Sequence, residues 1–176
     1  MKIQILDADA CRTMRGQLAD LLLDAVAHGG WLGVAAPRDS AAAQRYWDGV
    51  TAAVAAGDRL LLAAVHEGTL IGAVQLELCR LPNGHDQAEV KKMMVHSRAR
   101  RRGIGSVLLR AVEAEARALG RGLLFLDTEA GSGAEALYHG LGYTCVEAMA
   151  DAVCIAPDDA RQTAIYYKTL LRTEAA

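Results

Sequence analysis

One stretch constrains this chain more than any other: Arg98-Ala99-Arg100-Arg101-Arg102-Gly103-Ile104-Gly105-Ser106. The apolar run Val90 to Val95 comes just before it, and a helix pattern opens from its glycines. Ile104, Val107, Leu108, Ala111, Val112 and Leu119 recur at helical spacing, with Arg110, Glu113 and Arg117 on the other side. Gly120 supplies the stop. The stretch therefore reads as a strand, a basic turn and a helix N-terminus.

Physically that is an anion cradle. The first N–H groups of a helix lack intrahelical partners, and the helix dipole is positive where they point out. Gly103 and Gly105 carry no Cβ, so a phosphate can approach the backbone closely. Arg100, Arg101 and Arg102 add charge at that spot, and Arg98, Lys91 and Lys92 extend it. In a chain of net charge -2 this is a local feature rather than a general bias. Leu108 stands where a dinucleotide fingerprint would have its third glycine, and the Gly-Lys-Ser/Thr ending of a Walker loop is absent.

A length of 176 residues predicts one domain, 1–176. Hydrophobic residues make up 52% and charged ones 23%, which is the balance of a globular protein. Asp, Arg, Gly or His interrupts every apolar stretch short of membrane-spanning length, and Met1-Lys2-Ile3-Gln4 is too polar to open a signal peptide. A cytoplasmic location and no membrane partner are expected. Cys11, Cys79, Cys145 and Cys154 form no Cys-x-x-Cys pair, and the five histidines lack ligand spacing, so no metal is expected.

Taken in order, Ile3 to Leu6 predicts a strand and Asp9 to Ala27 a single helix. A glycine-rich loop from His28 to Gly33 holds Trp31, and Ser40 to Ala56 predicts a second helix. Leu60 to Val65 and Leu70 to Leu78 read as a hairpin. In its second strand Leu70, Val74, Leu76 and Leu78 alternate with Ile71, Gln75 and Glu77, which predicts one buried side. Ala88 to Val95 and Gly122 to Asp127 are strands joined by the long helix, a crossover that makes them parallel neighbours. A short helix, Ala134 to His139, precedes closing strands at Gly142 to Val146 and Gln162 to Lys168, with the acidic loop Glu147 to Asp159 between them. The fold class is α/β, a single-domain mixed β-sheet flanked by helices.

Arg100-x-x-Gly103-x-Gly105 after an apolar strand resembles the acetyl-CoA pyrophosphate motif of the GNAT superfamily of N-acetyltransferases. The strand order and Ala134-x-x-Leu137-Tyr138-x-x-x-Leu141-Gly142-Tyr143 extend the resemblance over residues 60–168. More narrowly, Cys79-Arg80-Leu81-Pro82-Asn83-Gly84, Ala88-Glu89-Val90, Gly122 to Ser132, Thr163 to Leu170 and His28-Gly29-Gly30 look like the tabtoxin-resistance acetyltransferases. Those act on an amine of a small β-lactam amino acid. The resemblance implies acetyl-CoA as co-substrate, its pyrophosphate held by Arg100, Arg101, Arg102, Gly103, Gly105 and Ser106. It also implies that the backbone of Met93 and Val95 holds the pantetheine arm and the acetyl carbonyl. Gly131 stands where many members carry Asn, so one side-chain contact to that arm is missing here.

Acetyl transfer from a thioester to an amine needs a base for the amine and an acid for the leaving thiolate. Glu89 and Asp127 sit among apolar strand residues and are the base candidates, acting directly or through a water. Burial would raise either carboxylate from about 4. The competing roles are an ion pair of Glu89 with Lys91 and an N-cap by Asp127 for a turn at Thr128. Tyr138 is the acid candidate, a phenol with a reference pKa near ~10 that stays protonated at neutral pH. His28, Trp31, Glu147, Asp151, Asp158 and Asp159 are candidates for an acceptor pocket suited to a cationic amine.

The expected function is an acetyl-CoA-dependent N-acetyltransferase that works on a small-molecule amine by direct attack. An aminoglycoside, a polyamine or a protein amine is the nearest alternative acceptor, and a non-catalytic acyl-CoA sensor is the next reading. The acidic balance and few aromatics speak against nucleic acid as a partner. A homodimer is left open.

Overall fold

The hairpin and the crossover after it set the architecture. The computed structural model describes residues 1–30, 37, 39–146 and 163–170. Its strands are β1 (Lys2–Leu6), β2 (Arg59–His66), β3 (Thr69–Leu78), β4 (Gln87–Val95), β5 (Leu123–Glu129), β6 (Thr144–Cys145) and β7 (Thr163–Thr169). They form one sheet in the order β1-β2-β3-β4-β5-β7-β6. Only β4 and β5 run parallel, as the crossover requires; every other neighbouring pair is antiparallel.

Helices cover both faces. On one side α1 (Ala8–Thr13), α2 (Arg15–Ala27) and α3 (Ser40–Ala55) bury Leu18, Leu21, Leu22, Trp47 and Val50 against Leu61, Ala63 and Ala73. On the other, α4 (Ile104–Ala118) and α5 (Gly133–Gly140) bury Leu108, Leu109, Val112 and Tyr138 against Leu62, Val74, Leu76 and Leu124. A sheet covered this way needs apolar residues at successive positions, not alternate ones.

Three expectations need correction. The one-sided reading of β3 fails because the strand is central: Leu70 through Leu76 are all buried, Gln75 included at 0% exposure. An irregularity at Ile71, skipped between the pairs Ala64↔Gly72 and Val65↔Leu70, also turns Leu70 to the opposite layer from Val74. The single helix from Asp9 breaks at Met14, where Thr13 turns its hydroxyl onto the Asp9 carbonyl and Gly16 weakens the next turn. The strand expected from Gly142 shrinks to Thr144–Cys145 because Gly142, at φ +80°, belongs to the stop of α5. There the N–H of Tyr143 reaches back to the Tyr138 carbonyl at 3.0 Å. Trp31 and the acids Glu147, Asp151, Asp158 and Asp159 lie outside the described residues.

Candidate active site

Parallel strands β4 and β5 pair only over Gln87↔Leu123, Ala88↔Leu124 and Glu89↔Phe125. Beyond Glu89 they part. Between the pairs Gln75↔Lys91 and Ala73↔Met94, β4 takes one extra residue, and Lys92 there has φ +48°. Such a bulge bends its strand and re-aims side chains. Between the diverging ends lies a cleft of about 630 Å³, walled by Met93, Val95, Ile104, Gly105, Ser106, Asp127, Leu137 and Tyr138 among others.

The helix start points into this gap. Gly103, at φ +77°, is the N-cap of α4, and no side chain caps it. A Cβ at Gly103 would meet nothing within 4 Å, so the ground before the helix is open. Gly105 also lines the cleft, and its small size serves packing as well. A Cβ there would come within 3.1 Å of Leu137 Cδ2, so the glycine lets α5 close on α4.

The arginines divide their work. Arg100 and Arg101 line the cleft; Arg102 is exposed and does not. Arg100 is committed to the protein, donating from Nε to the Val95 carbonyl at 3.1 Å and from Nη1 to the His28 carbonyl at 3.2 Å. A second tie holds the same loop. Ser97 donates its N–H and its hydroxyl to the Asp24 carboxylate, each at 2.7 Å, with His96 and His28 beside it at 3.4 and 3.3 Å. Burial works to raise the Asp24 pKa, but Ser97 and the two imidazoles outweigh it and hold the carboxyl below its usual range. The sequence carried no signal for this latch, because Asp24 and Ser97 are 73 positions apart.

Of the candidates for acid and base, Tyr138 and Asp127 line the cleft and Glu89 does not. Tyr138 is buried, packed between Tyr143 and Tyr166 with ring centroids 5.9 and 5.6 Å away. Burial, with the nearby charge of Asp127, pushes its phenol up to about 12. Asp127 is exposed and sits within β5, which continues to Glu129; neither the expected burial nor the N-cap role holds. Glu89 is half-buried on the sheet face shared with Glu77, Lys91 and Gln75, and Lys91 Nζ lies 3.2 Å from its carboxylate. Burial raises the Glu89 pKa, the Lys91 charge opposes it, and the net shift is upward. The competing ion pair is thus real. Lys91 also bonds Glu77, which pairs with Arg59, and Arg59 holds Gln75 Oε1 at 2.8 Å. His28, Gly29 and Gly30 reach the cleft as well. Among the described residues no group of three or more His, Cys, Asp or Glu side chains could hold a metal ion, and no helix is long and apolar enough to cross a membrane.

A mixed sheet split between two parallel strands, with an uncapped helix start and two arginines beside the split, defines an α/β protein made to hold an extended anionic ligand between its strands. The profile of the acetyltransferase (GNAT) family matches residues 27–143. The chain belongs to that family, so its class of reaction is N-acetyl transfer. Its fold is that of yncA from Salmonella typhimurium, solved with acetyl-CoA (TM-score 0.72, 17% identity, 100% of this chain and 97% of that one). It is equally similar to an aminoglycoside 6'-acetyltransferase type Ii (0.71, 20%, 98% and 99%). A ribosomal-protein-alanine N-acetyltransferase from Brucella melitensis is a third match (0.70, 19%, 97% and 100%). At these identities the likeness speaks for the fold alone.

Proposed function

We propose that this chain moves the acetyl group of acetyl-CoA onto the amine of a small molecule, of the β-lactam amino-acid kind that tabtoxin-resistance acetyltransferases modify. One observation carries the reading: a single cleft has the anion cradle at one end and both Asp127 and Tyr138 in its wall. The residues suit the coenzyme. The uncapped N-terminus of α4 and Arg101 would receive the pyrophosphate, and the open ground at Gly103 leaves it room. The parted backbone of β4 from Met93 to Val95 would take the pantetheine amides and the acetyl carbonyl. Acetyl-CoA supplies a thioester whose carbonyl an amine can attack.

The chain's part is proton management. Asp127 takes the proton of the acceptor ammonium, because of the two base candidates it, and not Glu89, lines the cleft; geometry precedes pKa in choosing a base. Glu89 adds negative charge one strand away and draws a cationic acceptor towards that face. Tyr138, protonated at any working pH, gives its proton to the leaving sulfur. A passive acyl-CoA sensor would need the cradle but neither Asp127 nor Tyr138. The acceptor class rests on the resemblance of the short motifs to the tabtoxin-resistance enzymes, and the cytoplasm suits such a reaction because acetyl-CoA is available there.

The test is release of free thiol from acetyl-CoA across a panel of amines: a tabtoxinine-type β-lactam, aminoglycosides, polyamines and lysine peptides. Turnover of the β-lactam amino acid is expected. Turnover confined to another class would overturn the acceptor, and coenzyme binding without any turnover would favour the sensor.

A further inference from the structure

We propose that Lys92 is an acetyl acceptor within the chain itself, a self-modification site at the wall of the cleft; this rests on the acetyl-CoA reading above. Two adjacent lysines follow one another in β4, and the structure treats them differently. Lys91 is tied to Glu77 and Glu89 on the sheet face. Lys92 is the bulge residue, at φ +48°, and it lines the cleft together with Met93, Val95, Asp127 and Tyr138. A bulky residue at positive φ carries strain, and bulges next to reacting groups often serve to aim a side chain. Here the bulge brings a primary amine to the wall where an acceptor amine would meet the thioester.

The groups that would serve a bound acceptor serve this amine equally. Lys92 and Asp127 share the cleft wall, and the Asp127 charge favours the Lys92 ammonium, so the carboxylate assigned to deprotonation acts on this amine too. Burial holds the Lys92 amine below the ordinary lysine range, which enlarges its unprotonated, nucleophilic fraction. An amine fixed beside its electrophile also avoids the entropy of a bimolecular encounter. In the step itself a bond forms between Lys92 Nζ and the acetyl carbonyl carbon, and the carbon–sulfur bond breaks. The proton lost from nitrogen passes to Asp127, and the thiolate takes one from Tyr138. The products are an amide on Lys92 and free CoA. The modified side chain has no positive charge, so the acid side of the cleft becomes more attractive to a cationic acceptor.

The full chain is incubated with acetyl-CoA and no acceptor, and acetyl groups are located by fragmentation of its peptides. One acetyl group on Lys92 and none on Lys91 is expected, appearing at a rate that saturates with acetyl-CoA and is blocked by excess CoA. Lys92→Arg should abolish the mark, and Asp127→Asn should slow it roughly 10²-fold. Acetyl groups scattered over lysines according to exposure would overturn the proposal. So would an unmarked Lys92 in a chain that binds acetyl-CoA and acetylates an external amine. A chain that neither binds acetyl-CoA nor carries the mark overturns this proposal and the reading beneath it together.

Discussion

Arg100 donates from Nε to the carbonyl of Val95 at 3.1 Å, so the loop arginine braces the strand whose backbone walls the cleft. Arg101, by contrast, lines the cleft and makes no such tie among the described residues. The two substitutions should therefore weaken coenzyme binding by different routes. Arg100→Ala and Arg101→Ala are each expected to raise the CoA dissociation constant roughly tenfold, about 1.4 kcal/mol. Calorimetry at rising salt separates them. The Arg101 deficit should shrink as salt screens the lost charge, whereas the Arg100 deficit, a loss of backbone placement, should persist.

Gly103 caps α4 in the left-handed region, where a Cβ costs about 1–2 kcal/mol even in open space. Gly103→Ala should lower the stability of the chain by that amount in urea unfolding. Gly105→Ala should cost less, because alanine's helix propensity offsets a contact that Leu137 can relieve by turning its methyl group. Equal losses at both positions would count against this division.

The strand order, the parallel crossover and the basic helix start were legible because each is local. Periodicity, a glycine stop and a run of arginines lie within a few residues of one another. The two-sided burial of β3 was not, since Gln75 and Glu77 are ordinary signs of a solvated face. Only the meeting of Gln75 with Tyr46 and Arg59 makes a buried amide tolerable there. The bulge at Lys92 was equally hidden, because it arises from the register between β3 and β4 and no residue type announces it. Tyr138 was named from the sequence by its place in a motif, yet its raised pKa comes from packing among tyrosines brought from α5, the following turn and β7.

Asp24 gives a pH signature. Its carboxyl lies below its unfolded value of about 3.8–3.9, so its contribution is fully present above that value and fades as pH falls through the lower, folded one. Asp24→Asn should destabilise the chain by about 1–3 kcal/mol at neutral pH, the cost of disrupting a partly buried, doubly hydrogen-bonded carboxylate. Unfolding curves of wild type and variant should converge as pH drops below about 4. The variant should also bind CoA more weakly, because Ser97 leads directly into the arginine loop.

Tyr138→Phe keeps the ring between Tyr143 and Tyr166 and removes only the hydroxyl that carries the proton. Turnover should fall roughly 10²-fold while the CoA dissociation constant stays unchanged. With its phenol pushed up to about 12, Tyr138 remains the acid form throughout the neutral and mildly alkaline range. Wild-type turnover should show no alkaline fall from this group there, and such a fall abolished in the Phe variant would contradict the acid's placement.

Asp127 and Glu89 lie on adjacent parallel strands, and only one can be the proton acceptor nearest the thioester. Asp127 lines the cleft, whereas Glu89 is engaged by Lys91 at 3.2 Å and stands one strand away. Asp127→Asn is expected to lower kcat by 10²-fold or more, on the order found for a lost general base. Glu89→Gln should instead raise KM for a cationic amine several-fold with kcat nearly kept, since a field and not a proton carrier is lost. The pH profile gives an independent reading. The Glu89 carboxyl lies above its usual value because burial outweighs Lys91, so it ionises later than a surface glutamate as pH rises. If Glu89 were the base, the acid limb of kcat would follow that raised value and vanish in Glu89→Gln. With Asp127 as the base, Glu89→Gln leaves the acid side of the kcat profile unchanged.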